Sequence, residues 1–384
     1  SDGDIVATGN LKTNNLPGRN LIINGDFQIA QRASTNNTTG AQSTYHTLDR
    51  WMTQIQAGTI TESQQSLSSS DTGPWGEGFR KYMRILNQSN IGAGAAQYAE
   101  IDQRIEAQTI AQSGWDYTDS AKYITLSFWL RASVAQNYIV NMYANDGTQR
   151  HYPFQVALSA NTWTKVEKAI PGNSGITINN DNGNGITIAF IAAYGTNYTS
   201  NSGGSFNTWN TTGNGLNRWP DMDTKWSTTT NATFDITGVQ LEVGSIATEF
   251  EHRPYGEELA LCQRYYWKPF PGNNSTSYDQ VMIAMKVADT DGGRAASTFF
   301  PVMMRAAPSV VFEDRAGDYG GTTGSSRVTC QHHNGTYAHG VTWSWATEPW
   351  GCDGPYHYPY GISGFTKGDV GNFQTNKLEF NAEL

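Results

Sequence analysis

The 384-residue sequence is poor in cysteine, in charged side chains and in long apolar runs. Charged residues make up 15%, and 34 acidic against 25 basic residues give a formal net charge of -9, which argues against a nucleic-acid partner. No apolar run approaches the ~20 residues that a membrane-spanning helix needs, so membrane insertion is not expected. The three cysteines are too few and too odd in number for a disulfide framework, although pairing of Cys330 with Cys352 stays open.

Motifs of common catalytic chemistry are missing as well. The sequence contains no G-x-S-x-G nucleophile elbow, no Gly-rich phosphate loop and no H-E-x-x-H pair. We therefore expect a protein that is not an enzyme. One alternative stays open, because Asp221 and Asp223 lie near Trp219 in a long loop and could serve as the two carboxylates of a glycan hydrolase.

What the chain does contain is the composition of loop-rich β structure, with 40 glycines, 19 tyrosines and 12 tryptophans. About nine short segments rich in alternating, β-branched or aromatic residues follow one another without intervening helices, which predicts a sandwich or a barrel. One segment begins at Trp51, and the others span residues 21–23, 79–86, 97–105, 123–130, 138–143, 163–170, 186–194 and 234–243.

A stretch from Phe234 to Lys268 marks the division between two domains. Its alternating first part predicts a closing strand, and a charged turn containing Pro254 follows. Glu257 to Lys268 then predicts a short helix, with acidic residues in the first turn and basic residues in the last. The expected domains are a lead-in from an upstream stalk (1–19), a β-sandwich (20–250), the connector helix (251–268) and a second, smaller β-sandwich (269–384).

The segment Asn20 to Phe27, NLIINGDF, resembles the opening of jelly-roll carbohydrate-binding modules. The combination of LPGRNLIINGDFQIAQR, LDRWM, ITGVQLEVGSIATEFEHRPYGEELALCQRYYWK and FFPVMMRAAPSVVF resembles the distal, receptor-binding domains of tailed-bacteriophage fibre and related virion proteins. The resemblance spans roughly residues 16 to 312. It implies an all-β jelly roll over 20–250, a homotrimer, upstream fibre or virion partners, and a place on the virion, outside the cell when functioning.

The same resemblance implies binding of host-surface glycan, either lipopolysaccharide or capsule. A sugar site needs an aromatic platform together with polar groups within hydrogen-bonding reach. In the first domain the loop candidates are Trp75, Trp115, Trp209, Trp219 and Trp226; the last three lie in a long Gly/Asn-rich loop, residues 195–230. The alternative is that these tryptophans pack in the interior or form trimer contacts, as Trp51, Trp129 and Trp163 are expected to do in the core.

The C-terminal domain offers a second candidate platform. Residues 321–364 are rich in aromatics and glycine, which is typical of a recognition tip. The candidate ligand-binding residues there are Trp343, Trp345, Trp350 and Tyr358. The alternative is a strand with one buried face, since aromatics alternate with other residues in this region.

A structural calcium ion is implied only by the resemblance to carbohydrate-binding modules. Those modules often hold calcium between the NGDF turn and the last strand, where this chain has Asp26 and Asp235. Gln28 stands where the modules usually have an acid, which is a departure from the pattern.

The function that these observations predict is adhesion to glycan by a multivalent fibre trimer, in which several weak sites combine. We expect the apolar rows of the connector helix, which include Leu259, Cys262 and Tyr266, to pack at the three-fold axis. The alternatives are a glycan depolymerase and a purely structural virion spacer.

Overall fold

The computed structural model describes residues 17–89, 91–199, 204–211, 219–269, 281–289, 292–295, 300–313, 327–332, 337–345, 357–360, 370–375 and 377–384. Of these, the side chains of 281–295, 310–313, 327–375 and 377–378 are not part of the description. The chain divides into two compact units, one formed by Ser1–Glu258 with Leu384 and the other by Leu259–Glu383. No helix in the described part of the chain is long and apolar enough to cross a membrane.

The described part of the first unit is built from β-strands and two short helices. The helices are α1 (Ala107–Ala111) and α2 (Lys225–Thr228). The strands are β1 (Thr35–Thr39), β2 (Gln42–Thr44), β3 (Met52–Ile55), β4 (Thr59–Ser66), β5 (Lys81–Ser89), β6 (Tyr98–Glu106), β7 (Tyr123–Ala132), β8 (Gln136–Ala144), β9 (Arg150–Leu158), β10 (Thr164–Pro171), β11 (Asn184–Tyr194), β12 (Asn210–Thr211) and β13 (Ala232–Val243).

These strands form two antiparallel sheets that face each other across one core. The six-stranded sheet has the order β1-β4-β5-β13-β7-β10, and the seven-stranded sheet has the order β12-β9-β8-β11-β6-β3-β2. Within them, β5-β13-β7-β10 and β6-β11-β8-β9 reproduce the two four-stranded sheets of an eight-stranded jelly roll. The predicted all-β jelly roll is therefore confirmed by the strand order.

The core lies between the sheets because alternate residues of each strand point inward. Phe234 and Ile236 of β13 are fully buried there. Trp51 packs against Phe27 and Phe190, with ring centroids 4.9 Å and 6.1 Å away, and its indole N–H donates to the carbonyl of Asn24. The prediction that Trp51 is a core residue is confirmed.

The segment 21–23, predicted as a strand, does not join either sheet. The side-chain oxygen of Asn20 accepts the backbone N–H groups of Ile22 and Leu241 instead, at 3.0 Å each. The turn that follows is as predicted: a Cβ at Gly25 would lie 2.1 Å from the carbonyl oxygen of Val239, so only glycine fits. The Asn20 side chain thus adds to a single backbone hydrogen bond from Leu21 to Leu241, at 2.8 Å, in holding this segment beside β13.

Strands β1, β2, β4, β9 and β12 were not predicted, and of these only β9 carries apolar alternation, at Tyr152, Phe154, Val156 and Leu158. The first two consist of Thr, Asn, Gln and Ser only, so they carry no apolar alternation. In β4 the inward position after Ile60 is taken by Glu62, whose side chain is fully buried. A search for apolar alternation misses strands of this kind.

The connector helix, α3 (Tyr255–Gln263), is shorter than predicted. The residues expected to form its last turn instead form β14 (Tyr266–Trp267), where the Trp267 ring stacks on Phe380 at 5.2 Å. Cys262 and Tyr266 are 0% and 2% exposed. The prediction that these two residues pack at a three-fold axis is therefore wrong, because both side chains are already buried within the chain.

The second unit also contains antiparallel strands. They are β14, β15 (Val281–Asp289), β16 (Gly292–Ala295), β17 (Ser309–Glu313), β18 (Arg327–His332), β19 (Tyr337–Trp345), β20 (His357–Tyr360), β21 (Val370–Thr375) and β22 (Lys377–Asn381). Six of them close into a barrel of order β15-β16-β20-β19-β18-β21, and β14-β22-β17 form a separate sheet. The sequence predicts two facing sheets here; alternation is the same in a barrel and a sandwich, and cross-strand pairing decides between them.

The buried Glu62 predicts how stability depends on pH. Burial raises the pKa of its carboxyl above the ordinary range, against the hydrogen bond donated by the Thr47 hydroxyl. Ionisation then opposes folding, so stability falls as the pH rises from the ordinary glutamate pKa through the raised one. Asp26 and Asp102, each with a pKa raised to about 6, act in the same direction.

We expect the protein to have a larger free energy of unfolding at about pH 5 than at about pH 8, and Glu62→Gln to reduce that difference. Urea unfolding at both pH values measures it. Glu167→Gln, at a side chain that is 52% exposed, is the control and leaves the difference unchanged. An unaltered pH dependence in Glu62→Gln would contradict the assignment.

Candidate functional site

The outer face of the six-stranded sheet carries a group of aromatic side chains that we call the outer aromatic cluster. Tyr82 of β5 and Trp129 of β7 point outward, because Met83 and Phe128 beside them point into the core. The cluster consists of Leu67, Trp75, Phe79, Tyr82, Trp129, Trp163 and Phe250. Of these, Trp75, Trp129, Trp163 and Phe250 are half-buried, so each offers part of a ring to solvent.

Two predictions are corrected here. Trp129 and Trp163 were expected in the core, and both lie on the outside of the sandwich. In the segment YITLSFWL, Trp129 shares its parity with the polar residues Thr125 and Ser127, and the core prediction rested on the apolar composition of the segment and not on this alternation. In the structure Leu126, Phe128 and Leu130 take the inward positions, which turns Trp129 outward.

A loop between β4 and β5 holds the two outward tryptophans in place. The indole N–H of Trp129 donates to the Glu77 carboxylate at 3.0 Å, and that of Trp163 donates to the Asp71 carboxylate at 3.1 Å. Gly73 of this loop lies against the Trp129 ring, where a Cβ would be 2.6 Å from it. Both rings are therefore fixed by hydrogen bonds and by close packing.

Charged groups stabilise the same face. The Asp235 carboxylate of β13 is fully buried and accepts hydrogen bonds from Arg84 at 2.7 and 2.9 Å and from Arg131 at 2.9 Å. Arg131 also pairs with Asp71 at 2.8 Å, and its guanidinium lies 4.4 Å from the centre of the Trp163 ring. The arginine thus connects the sheet, the loop and the aromatic ring.

A cleft of about 640 Å³ adjoins the outer aromatic cluster. Its polar lining includes Glu77 and Lys165, which form an ion pair at 2.9 Å with both side chains 36% exposed. Phe250 supplies an apolar wall, and His252 contacts the carbonyl oxygen of Glu77 at 2.9 Å. Aromatic faces beside hydrogen-bond donors and acceptors can bind a ligand that is apolar on one side and hydroxylated on its rim.

The structure places the predicted tryptophans of the long loop elsewhere. Trp219 and Trp226 are fully buried: the first stacks on Tyr194 at 5.5 Å, and the second packs near Phe234. Neither ring offers a face to solvent, so the prediction of an aromatic platform on these two residues is wrong. Trp209 is half-buried, and its indole N–H donates to the carbonyl of Pro171. The composition of a Gly/Asn-rich loop does not reveal that the loop packs on the sheets.

The candidates of the C-terminal unit stay predictions. Trp343 and Trp345 occupy alternate positions of β19, and Tyr358 of β20 is the cross-strand partner of Ser344. The side chains of these residues, and Trp350 entirely, lie outside the described residues.

The two loop carboxylates suggested for hydrolysis have different neighbours. Asp221 accepts a hydrogen bond from the Thr199 hydroxyl at 2.8 Å. Asp223 is 43% exposed and lies 3.8 Å from Lys225. Neither contact sets the two carboxylates across a common cleft.

The predicted calcium ligands do not fit a common site. The Asp235 carboxylate is already paired with Arg84 and Arg131, whereas Asp26 lies in a different environment, where burial and the nearby Glu258 raise its pKa to about 6. Over the described residues, no group of three or more His, Cys, Asp or Glu side chains is arranged to hold a metal ion. The arrangement therefore does not support calcium held through Asp26 and Asp235.

No protein-family model and no curated protein matches the chain. Solved structures with partial likeness include a family 4 carbohydrate-binding module, at 10% identity over 42% of this chain and 84% of that chain, TM-score 0.23. A family 16 carbohydrate-binding module is 12% identical over 42% of this chain and 75% of that chain, with a TM-score of 0.20. A cyclase from Fischerella sp. TAU is 11% identical over 55% of this chain and 90% of that chain, with a TM-score of 0.29. At these identities and TM-scores the likenesses carry no argument, and the fold rests on the strand order above.

The Asp235 network yields a stability prediction. In Asp235→Ala both Arg84 and Arg131 lose their shared carboxylate, which we expect to lower the free energy of unfolding by about 3 kcal/mol. Urea unfolding near pH 7 measures the loss. Glu167→Ala removes an exposed partner of Lys165 and should change stability by only about 0.5 kcal/mol. A loss as small in Asp235→Ala as in this control would show that the network contributes little.

Proposed function

We propose that the outer aromatic cluster and its cleft form a glycan-binding surface. The observation that carries the proposal is the joint placement of Trp129 and Trp163, each half-buried and held by a carboxylate, beside a polar cleft. The C–H face of a sugar ring packs on an indole, and its hydroxyls exchange hydrogen bonds with charged and amide side chains.

The rings are held in place before a ligand arrives. Trp129 and Trp163 are fixed by Glu77 and Asp71, so binding costs little ordering of these side chains. In the cleft, Lys165 supplies donors to sugar hydroxyls, and Glu77 and Glu249 supply acceptors. The residues that line the cleft are exposed or half-buried, so the cleft is accessible to a polysaccharide from solvent.

We further propose that the chain is part of a bacteriophage fibre that adheres to lipopolysaccharide or capsule on the host surface. This rests on the resemblance of the NLIINGDF and ITGVQLEVGSIATEFEHRPYGEELALCQRYYWK segments to distal fibre domains. The fibre is a homotrimer attached to upstream virion proteins. Three weak sites on one trimer raise the avidity without any new contact.

The first test concerns the aromatic platform. We expect Trp163→Ala and Trp129→Ala to weaken binding to soluble lipopolysaccharide or capsular polysaccharide about tenfold, equivalent to about 1.4 kcal/mol, because a sugar ring loses its stacking partner. Titration calorimetry measures affinity, and thermal unfolding checks the fold. The matched control is Trp209→Ala, a half-buried tryptophan outside the cluster, which should bind normally.

Loss of binding in Trp209→Ala, or in variants of Trp343 and Trp345, with normal binding in the cluster variants would place the site elsewhere. Failure of the wild type to bind any of the polysaccharides would favour the structural spacer.

The second test separates adhesion from hydrolysis and measures assembly. We expect saturable binding without release of reducing ends over time, and sedimentation of a three-chain species at micromolar concentration. Release that is lost in Asp221→Asn or Asp223→Asn would instead support the depolymerase. A monomer in sedimentation would contradict the trimer and leave the glycan site to be judged by calorimetry alone.

A further inference from the structure

Residues 249–254, between β13 and α3 in the first unit, form a segment without regular secondary structure that we call the strap. On one side it borders the cleft, and on the other it contacts residues 18–22, which we call the entry segment. Gln240 of β13 holds the strap between them. Its fully buried side chain accepts the backbone N–H of Glu251 at 2.8 Å and donates to the carbonyl of Glu249 at 3.3 Å.

Three residues of the strap build one wall of the cleft. Glu249, Phe250 and His252 all line it. The Phe250 ring lies edge-on to Phe79 at 4.8 Å, and the His252 ring is 5.2 Å from the same phenyl ring. His252 also contacts the carbonyl oxygen of Glu77 at 2.9 Å. The shape of the cleft therefore depends on where the strap lies.

Two charged side chains of the strap bind the entry segment instead. The Glu251 carboxylate accepts the backbone N–H groups of Gly18 at 2.5 Å and Asn20 at 2.7 Å. The Arg253 guanidinium donates to the carbonyl oxygens of Asn20 and, at 3.0 Å, of Ile22. Glu251 and Arg253 lie 3.6 Å apart as an ion pair and are 8% and 7% exposed. Hydrogen bonds of ionised groups are strong, so these four bonds clasp the entry segment to the strap.

The entry segment influences the cleft through the strap. None of the described residues that line the cleft belongs to the entry segment. Removing one partner of the clasp leaves the charge of the other partly buried and unpaired. A segment without sheet pairing opens locally at a smaller cost than global unfolding. Loosening the clasp therefore displaces the cleft wall while the two sheets stay folded.

We propose that Glu251 and Arg253 are positioning residues, which hold Phe250 and His252 in the cleft wall by clasping the entry segment. The inference rests on the proposed function of the cleft, and it adds a means of regulation. Coupling between two sites is reciprocal, so a ligand in the cleft tightens the clasp by the factor by which the clasp tightens ligand binding. Any partner that displaces the entry segment then weakens binding at the cleft.

The first test changes the clasp and measures the cleft. We expect Glu251→Ala to weaken binding of lipopolysaccharide or capsular polysaccharide about fivefold in titration calorimetry, because the cleft wall is no longer held. Thermal unfolding checks that the fold persists. Glu257→Ala is the matched control, since this glutamate is exposed and lies just beyond the strap, and it should bind normally.

The second test changes the cleft wall and measures the entry segment, without any ligand. We expect His252→Ala, at an exposed side chain, to speed hydrogen exchange of the Asn20 amide about threefold, because a looser strap holds Glu251 less firmly against that amide. The control is Lys165→Ala, which changes the cleft lining outside the strap and should leave this exchange unchanged. In the wild type, added polysaccharide should slow the same exchange, and in a folded Glu251→Ala it should not.

The outcomes separate the coupling from the binding surface. Normal affinity in a folded Glu251→Ala, or unchanged Asn20 exchange in His252→Ala, would overturn the coupling and leave the glycan-binding surface in place. A wild type that binds no polysaccharide, together with faster Asn20 exchange in His252→Ala, would overturn the binding surface and support the link between the strap and the entry segment.

Discussion

The Asp235 carboxylate is the constraint on which the outer face of the six-stranded sheet depends. It is buried on β13, the strand that also sends Phe234 and Ile236 into the core. Asp235 accepts hydrogen bonds from both Arg84 and Arg131 and thereby fixes the position of the Arg131 guanidinium. That guanidinium covers one side of the Trp163 ring. One acidic residue thus links the core strand to the aromatic surface. Its ion pairs with the two arginines also make it a poor calcium ligand.

The sequence predicts most of the strands that alternate or are bounded by clear turns, with β9 as an exception. The closing strand and the NGDF turn were found this way, and the turn is enforced by the short approach of Gly25 to Val239. Strands with polar inward positions, such as Glu62 in β4, escape the same criterion. The barrel of the second unit was not predictable either, since closure depends on pairing between strands distant in sequence.

Only part of the proposed site could be found from the sequence. Of the loop tryptophans suggested as a platform, Trp75 lies in the outer aromatic cluster, whereas Trp219 and Trp226 are buried. The platform that we propose uses Trp129, which the sequence assigned to the core. A usable signal was present: Ser127 and Arg131 share the parity of Trp129 on β7, and polar residues at that parity mark the outward face. In a strand that is mostly apolar, the few polar residues show which side chains face outward.

Gly73 has a consequence for how this surface can diverge among related chains. Its positive φ of 98° and its contact with the Trp129 ring leave no space for a methyl group. Neighbouring loop residues can change side chains without moving the Trp129 ring, while any residue other than glycine at position 73 displaces the ring itself. The position of the indole therefore depends on one backbone site, whatever the rest of the loop carries.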